Sequence, residues 1–230
     1  MPGIVPEIGR PAQLAFAGRY LIHSGGEECG EERWSIEVAP DHLVAQGEQV
    51  MTAPHPFPNR SEYRATLTHD WRLTGLEVRW TVGERRLAAT HAADGDRWRV
   101  RIEYGGEVRV QEGDYPALCE VDFVTHLFSA FILQRRDFQL GGEHEFPVLS
   151  IGPPWMAVTP GRLLYRCVDQ GILITPAGPT AAKRYVVSRP PEPESEGFSF
   201  WADADGIVIE SSEGPEAGRP WMRLVEYRRG

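Results

Sequence analysis

Apolar and charged residues alternate along much of the first half of the chain. In RWRVRIEY (97–104), Trp98, Val100, Ile102 and Tyr104 fall on one face, with Arg97, Arg99, Arg101 and Glu103 on the other. LEVRWTV repeats the pattern with Leu76, Val78, Trp80 and Val82, and SEYRATLTH repeats it with Tyr63, Ala65 and Leu67. Period-two alternation is the mark of a strand with one buried face. Asp94-Gly95 and Gly105-Gly106 are strong hairpin turns, and His69-Asp70 and Gly83-Glu84 suit turns as well. Residues 19–111 therefore read as a β-meander, preceded by an N-terminal extension over 1–18.

A second set of strands is expected over 143–228: EFPVLSI, RLLYRCV, GILIT, KRYVVS, GFSFWAD, GIVIES and WMRLVEYRR. TAPHPFPNR (52–60) and RPPEPESEG (189–197) read as loops, the latter acidic and solvated. Neither loop separates two halves that could each bury a core, so residues 1–230 read as one domain.

Between the two sets lies EVDFVTHLFSAFILQRRDF (120–138), which reads as a long helix. At 100° per residue, Val121, Phe123, Val124, Leu127, Phe128, Ala130, Phe131 and Ile132 cover more than half its circumference. Asp122 suits the N-cap, and Arg135 and Arg136 suit the negative C-terminal end. A surface helix needs an apolar stripe of only about 100°. A wider stripe calls for apolar neighbours on several sides. The expected fold is mainly β (α+β): a curved antiparallel half-barrel wrapped around one central apolar helix, about 120–135.

Composition narrows the partners. A net charge of -9 argues against nucleic acid and against electrostatic docking on anionic lipid. Cys29, Cys119 and Cys167 are odd in number and widely spaced, which favours reduced thiols. No stretch reaches the roughly 18 apolar residues of a membrane span, and no signal peptide is visible. If the chain is complete, a soluble cytoplasmic protein is expected.

Three stretches carry a family resemblance: YRATLTHDWRLTGLEVR (63–79), CEVDFVTHLFSAFILQRRDFQLGG (119–142) with its Cys-x-x-Asp approach and Arg-Arg pair, and FSFWADADGIVIES (198–211) with its Asp-x-Asp-Gly. In order and spacing they resemble the bacterial putative glycolipid-binding family, which shares the half-barrel fold of the Lol-type lipoprotein carriers. The opening YLIHSGGEECGEERWSIE (20–37) is similar to related bacterial proteins of that fold. The resemblance covers about Tyr20 to Ser211. It implies a curved sheet holding apolar helices and suggests a lipid-like ligand.

The candidate contact residues for a hydrophobic or glycolipid-like ligand are Tyr63, Trp80, Trp98 and Tyr104 on the meander and Phe128 and Phe131 on the helix. The same aromatic set equally describes a packed core. Asp122 and His126, four apart, with Ser129 nearby, are the nearest approach to catalytic chemistry, but cap and helix-surface roles explain them. The seven histidines show no metal-ligand spacing, and GGEECGEE (25–32) reads as a solvated turn. No enzyme activity, cofactor or metal is expected. Two functions stay open: a carrier of an amphipathic molecule, or a protein–protein interaction module with a solidly packed bowl.

Overall fold

The computed structural model describes residues 13–153, 155–175, 178–191, 197–213 and 220–230. The chain first runs as a meander: β1 (Gln13–Ser24), β2 (Glu27–Val38), β3 (Leu43–Met51), β4 (Asn59–Leu67), β5 (Leu73–Val82), β6 (Arg85–Asp94), β7 (Arg97–Tyr104) and β8 (Glu107–Asp114). Then come β9 (Glu120–Phe123), α1 (Leu127–Arg135), β10 (Glu143–Gly152), β11 (Ala157–Thr175) and β12 (Gly178–Ser188). β13 (Phe198–Ala202), β14 (Val208–Glu213) and β15 (Pro220–Arg229) end the chain.

These fifteen strands form one large sheet, running from β8 down to β1 and then from β15 down to β9. Neighbours are antiparallel except β9 and β10, which run parallel through the α1 crossover. β8 and β9 are its two edges, so the sheet does not close into a barrel. Two-residue turns carry most of the meander. Gly25-Gly26 and Gly105-Gly106 take the positive φ that such turns demand.

Strand alternation sends one face inward. Ile22, Trp34, Ile36, Ala45, Tyr63, Leu76, Val78, Trp80, Val100 and Ile102 join one buried cluster with Leu127, Phe128, Ala130 and Phe131 of α1. Ile132 joins a second cluster with Phe146, Leu163, Tyr165, Tyr185 and Phe200. Six consecutive residues, Leu127–Ile132, are buried. A helix feeding two clusters at once needs a wide apolar arc.

The helix is shorter than the sequence predicts. Residues 120–123 are strand, pairing Glu120 with Val148 and Phe123 with Ile151. An apolar run of this length does not distinguish helix from strand by periodicity, and β-branched Val121, Val124 and Thr125 favour the extended form. Asp122 is therefore not the cap. His126 holds the N-cap without a capping bond, and Leu127 N donates to Thr125 Oγ1 at 3.2 Å.

RLLYRCV and GILIT, expected as two strands, are one nineteen-residue strand, β11. The polar break at Cys167–Asp169 is a bulge against β12, not a turn. β1 begins at Gln13, inside the stretch read as an extension. Residues 192–196 of the predicted acidic loop, like residues 1–12, lie outside the described residues.

Candidate functional site

Where β9 runs into α1, the chain borders an open cavity of about 560 Å³. Its walls come from the ends of several strands: Asp122 and Phe123 of β9, Ser150 and Ile151 of β10, Arg189 just past β12, Phe198 of β13 and Trp221 of β15. Thr125, His126 and Ser129 form its helix side. Open clefts of similar size lie elsewhere on the sheet. In this mouth a buried imidazole and a carboxyl–guanidinium pair lie beside aromatic rings, a composition that suits a ligand site.

Arg189 bridges two strands. Its Nη2 pairs with Asp122 Oδ2, and its Nη1 donates to Ser150 Oγ at 2.8 Å. Burial raises the Asp122 carboxyl above the usual range, and Arg189 opposes that shift. His126 Nε2 lies 2.7 Å from Ser211 Oγ. Burial pushes its imidazole down to about 4, so the ring is neutral at pH 7. Trp221 meets the ring edge-on at 5.1 Å, with Phe198 at 6.0 Å. The mouth thus sets aromatic rings beside hydroxyl, guanidinium and carboxylate groups.

Thr125 connects the mouth to a carboxyl below it. Glu32 accepts hydrogen bonds from Thr125 Oγ1, from Tyr63 OH at 2.6 Å and from Gln49 Nε2 at 3.4 Å. Burial raises its pKa, against those hydrogen bonds. Tyr63 reaches it by lying over Gly47, where a Cβ would stand 2.4 Å from the tyrosine hydroxyl. Glu32 is wholly buried, so GGEECGEE is not a solvated turn throughout; its last residue faces the core.

Asp122 and His126 do not form an acid–base pair, because Asp122 engages Arg189 and His126 engages Ser211. Ser211 is only 1% exposed, which keeps a substrate carbonyl from its hydroxyl. Cys29, Cys119 and Cys167 are buried and unpaired. Among the described residues no group of three or more His, Cys, Asp or Glu side chains is placed to hold a metal ion.

The six aromatic candidates do not gather around one cavity. Tyr63, Trp80, Phe128 and Phe131 are buried in the main cluster. Trp98 and Tyr104 are half-buried at its margin, and Tyr104 meets Trp155 edge-on at 5.2 Å. Trp98 borders a small apolar cavity of about 20 Å³ with Tyr115, Val121 and Val158. That is room for roughly one water. Nothing in the sequence pattern singles out Arg189 or Trp221, and Glu32 is hidden in the acidic GGEECGEE. Serines on the inward face of an apolar strand were the available signal for Ser211.

The profile of the family described as Putative glycolipid-binding matches residues 24–188. No curated protein matches. Two solved structures are similar over nearly their whole length. One is a DUF1089 family protein from Pseudomonas aeruginosa, with 16% identity, a TM-score of 0.53, and 92% of this chain and 96% of that one covered. The other is a beta-barrel-like protein of DUF1849 from Brucella abortus, with 9% identity, a TM-score of 0.56, and 95% and 98% covered. At these identities the likeness is one of fold. No helix among the described residues is long and apolar enough to cross a membrane.

Proposed function

The chain belongs to the Putative glycolipid-binding family, and from that premise we propose that it binds an amphipathic, glycolipid-like molecule at the mouth beside α1, without transforming it. The observation that carries this reading is the meeting of Trp221 and Phe198 with the Asp122–Arg189–Ser150 set in one open cavity. A sugar ring stacks on the aromatic wall while its hydroxyls bond to the charged pair. The apolar part of the ligand runs along Phe123, Val124 and Ile151. On this reading the α1 helix is the plug around which the sheet curves. Tyr63 and Phe128 pack against Phe123 of the mouth, and Trp80, Phe131, Trp98 and Tyr104 belong to or border the same core cluster.

Calorimetric titration with n-octyl-β-glucoside below its micelle concentration tests the reading. Binding is expected, with affinity falling at least about tenfold in Trp221→Ala and in Arg189→Met. Glucose alone and octanol alone should each bind more weakly. No heat with the glycoside, or equal affinity in both variants, sinks the reading.

A second reading rests on β8. This edge strand pairs only with β7 among the described residues, and Val108 and Val110 stand exposed on it. An extended peptide added along that edge would make the protein an interaction module with a filled bowl. Retained stability and a silent glycoside titration would favour it.

A further inference from the structure

β11 and β12 outrun the sheet. β10 accompanies β11 only up to Arg166, which faces Glu143, and β13 meets β12 only from Lys183, which faces Ala202. Beyond that line, residues 171–175 and 178–182 form a ladder with each other, and no third strand flanks them among the described residues. A two-stranded ribbon has no core of its own. The cross-strand pairs Ile172/Ala181 and Ile174/Pro179 set four apolar residues side by side on one face. All four are exposed, Ile172 by 70% and Ile174 by 82%.

The chemistry of this ribbon is unlike that of the rest of the surface. Residues 170–182 carry no charge, although one residue in four of the chain is charged. Charge returns at the root. Arg166, Lys183 and Arg184 stand there with Asp169 and Glu143, and Asp137 and Asp203 line the groove that Lys183 borders. The two signs are close to balance. Trp201 packs beside Gly171 where the ribbon leaves the sheet.

We propose that the β11–β12 ribbon docks on an electrically neutral lipid bilayer, placing Ile172, Ile174, Pro179 and Ala181 among the outermost acyl segments. A protein interface carries about one hydrogen bond per 100–200 Å², and the side chains on the Ile172/Ile174 face offer none. Hydrocarbon makes no such demand and penalises charge, which the ribbon lacks. The balanced root and the net charge of -9 favour zwitterionic over anionic lipid. Insertion is shallow, because the outer backbone edges of both strands must stay hydrated. The ribbon is at the end of β12 opposite Arg189, so the inference does not rest on the mouth binding a ligand.

Flotation of the full chain with phosphatidylcholine vesicles at about 1 mM lipid tests the proposal, since a tip smaller than one acyl chain partitions weakly. The wild type should float, and Ile172→Asp/Ile174→Asp should lower the bound fraction about tenfold. Ile172→Leu/Ile174→Leu should keep binding. Vesicles half phosphatidylglycerol should capture less protein than pure phosphatidylcholine. Both sites are exposed, so the melting temperature should hold; Ile172→Ser/Ile174→Ser serves if the aspartates unfold the ribbon. Four results overturn the proposal: a wild type that stays at the bottom, an Asp variant that floats like the wild type, flotation on anionic vesicles alone, or self-association abolished by the Asp variant without flotation. The Asp variant's glycoside titration should be unchanged, so failure of the ribbon and failure of the mouth register separately.

Discussion

Among the described residues no cation pairs with Glu32; its partners are the hydroxyls of Tyr63 and Thr125 and the Gln49 amide. Burial holds its pKa above the ordinary carboxylate value. A native state that binds the proton more tightly than the unfolded chain gains stability at low pH and loses it as pH rises through the folded pKa. In Glu32→Gln this component disappears. The melting temperature of the wild type relative to Glu32→Gln should therefore rise as pH falls from 8 to 5, and an opposite trend would refute the buried, unpaired state. His91 and His126 work in the other direction. Burial lowers both to about 4, so their contribution is present above about 6.5 and is lost between there and 4. The full effect is about 3 kcal/mol per histidine as an upper bound. His126→Gln should flatten the acid limb of a stability–pH curve, a change that chemical denaturation at pH 4.5 and 7 measures. The inward place of Glu32 was legible. Trp34 and Ile36 fix the inner parity of β2, and stepping back two residues lands on Glu32. Its neighbours Glu27, Glu28 and Glu31 obscured this, since acid density suggests solvent whatever the parity.

The Arg-Arg pair at the end of α1 ties the helix to the strand before it. Arg135 Nη1 lies 2.6 Å from Glu120 Oε2 and Arg136 Nη2 2.8 Å from Oε1, with Glu120 almost wholly buried. Arg135 Nη2 donates to Ala117 O at 3.1 Å, and Arg136 Nη2 donates to Leu118 O at 2.7 Å as well as to Glu120. Arg136 also lies over the Phe146 ring at 4.3 Å. From sequence the two arginines read as partners of the helix dipole; a carboxylate fifteen residues upstream is visible only once residues 120–123 are a strand. Glu120→Ala strands two half-buried guanidinium groups that keep backbone carbonyl partners, and should cost at most about 3 kcal/mol. Arg135→Ala alone should cost less, since Arg136 keeps the carboxylate paired. At the far side of α1, Gly206 is fixed by contact as well as by its φ of +74°, because a Cβ there would stand 3.1 Å from that of Leu133. Phe131 packs against Phe128 at 4.9 Å and Trp71 at 6.0 Å between ring centroids. Phe131→Ala should then cost the full core penalty of about 3–5 kcal/mol in urea unfolding. A cost below about 1 kcal/mol would mean that the ring lines a void, and would return the ligand to the bowl.

At the scale of the molecule, alternation told which face of each strand is buried but not the order of strands in the sheet. The meander was legible because two-residue turns force neighbours to pair. The return of β15 beside β1 was not, because a pairing across two hundred residues leaves no local signal. Nor does the sequence say whether fifteen strands close. In the structure the β8 edge comes within side-chain reach of β11 and stops. Val158 N donates to Gln111 Oε1 at 3.2 Å, Trp155 meets Tyr104, and Arg109 lies over the Trp155 ring at 5.7 Å. No backbone ladder joins the two, and the apolar cavity of about 20 Å³ lies beneath the gap. If side chains alone span this seam, Gln111→Ala should cost under about 1 kcal/mol, the worth of one partly exposed hydrogen bond. The β8 amides on its outer edge should exchange with solvent much faster than those of β5, which is paired on both sides. Hydrogen exchange read strand by strand measures this. Equal protection of β8 and β5 in the wild type, lost together in Gln111→Ala, would mean that the sheet closes in solution and that its edge is not free for a partner strand.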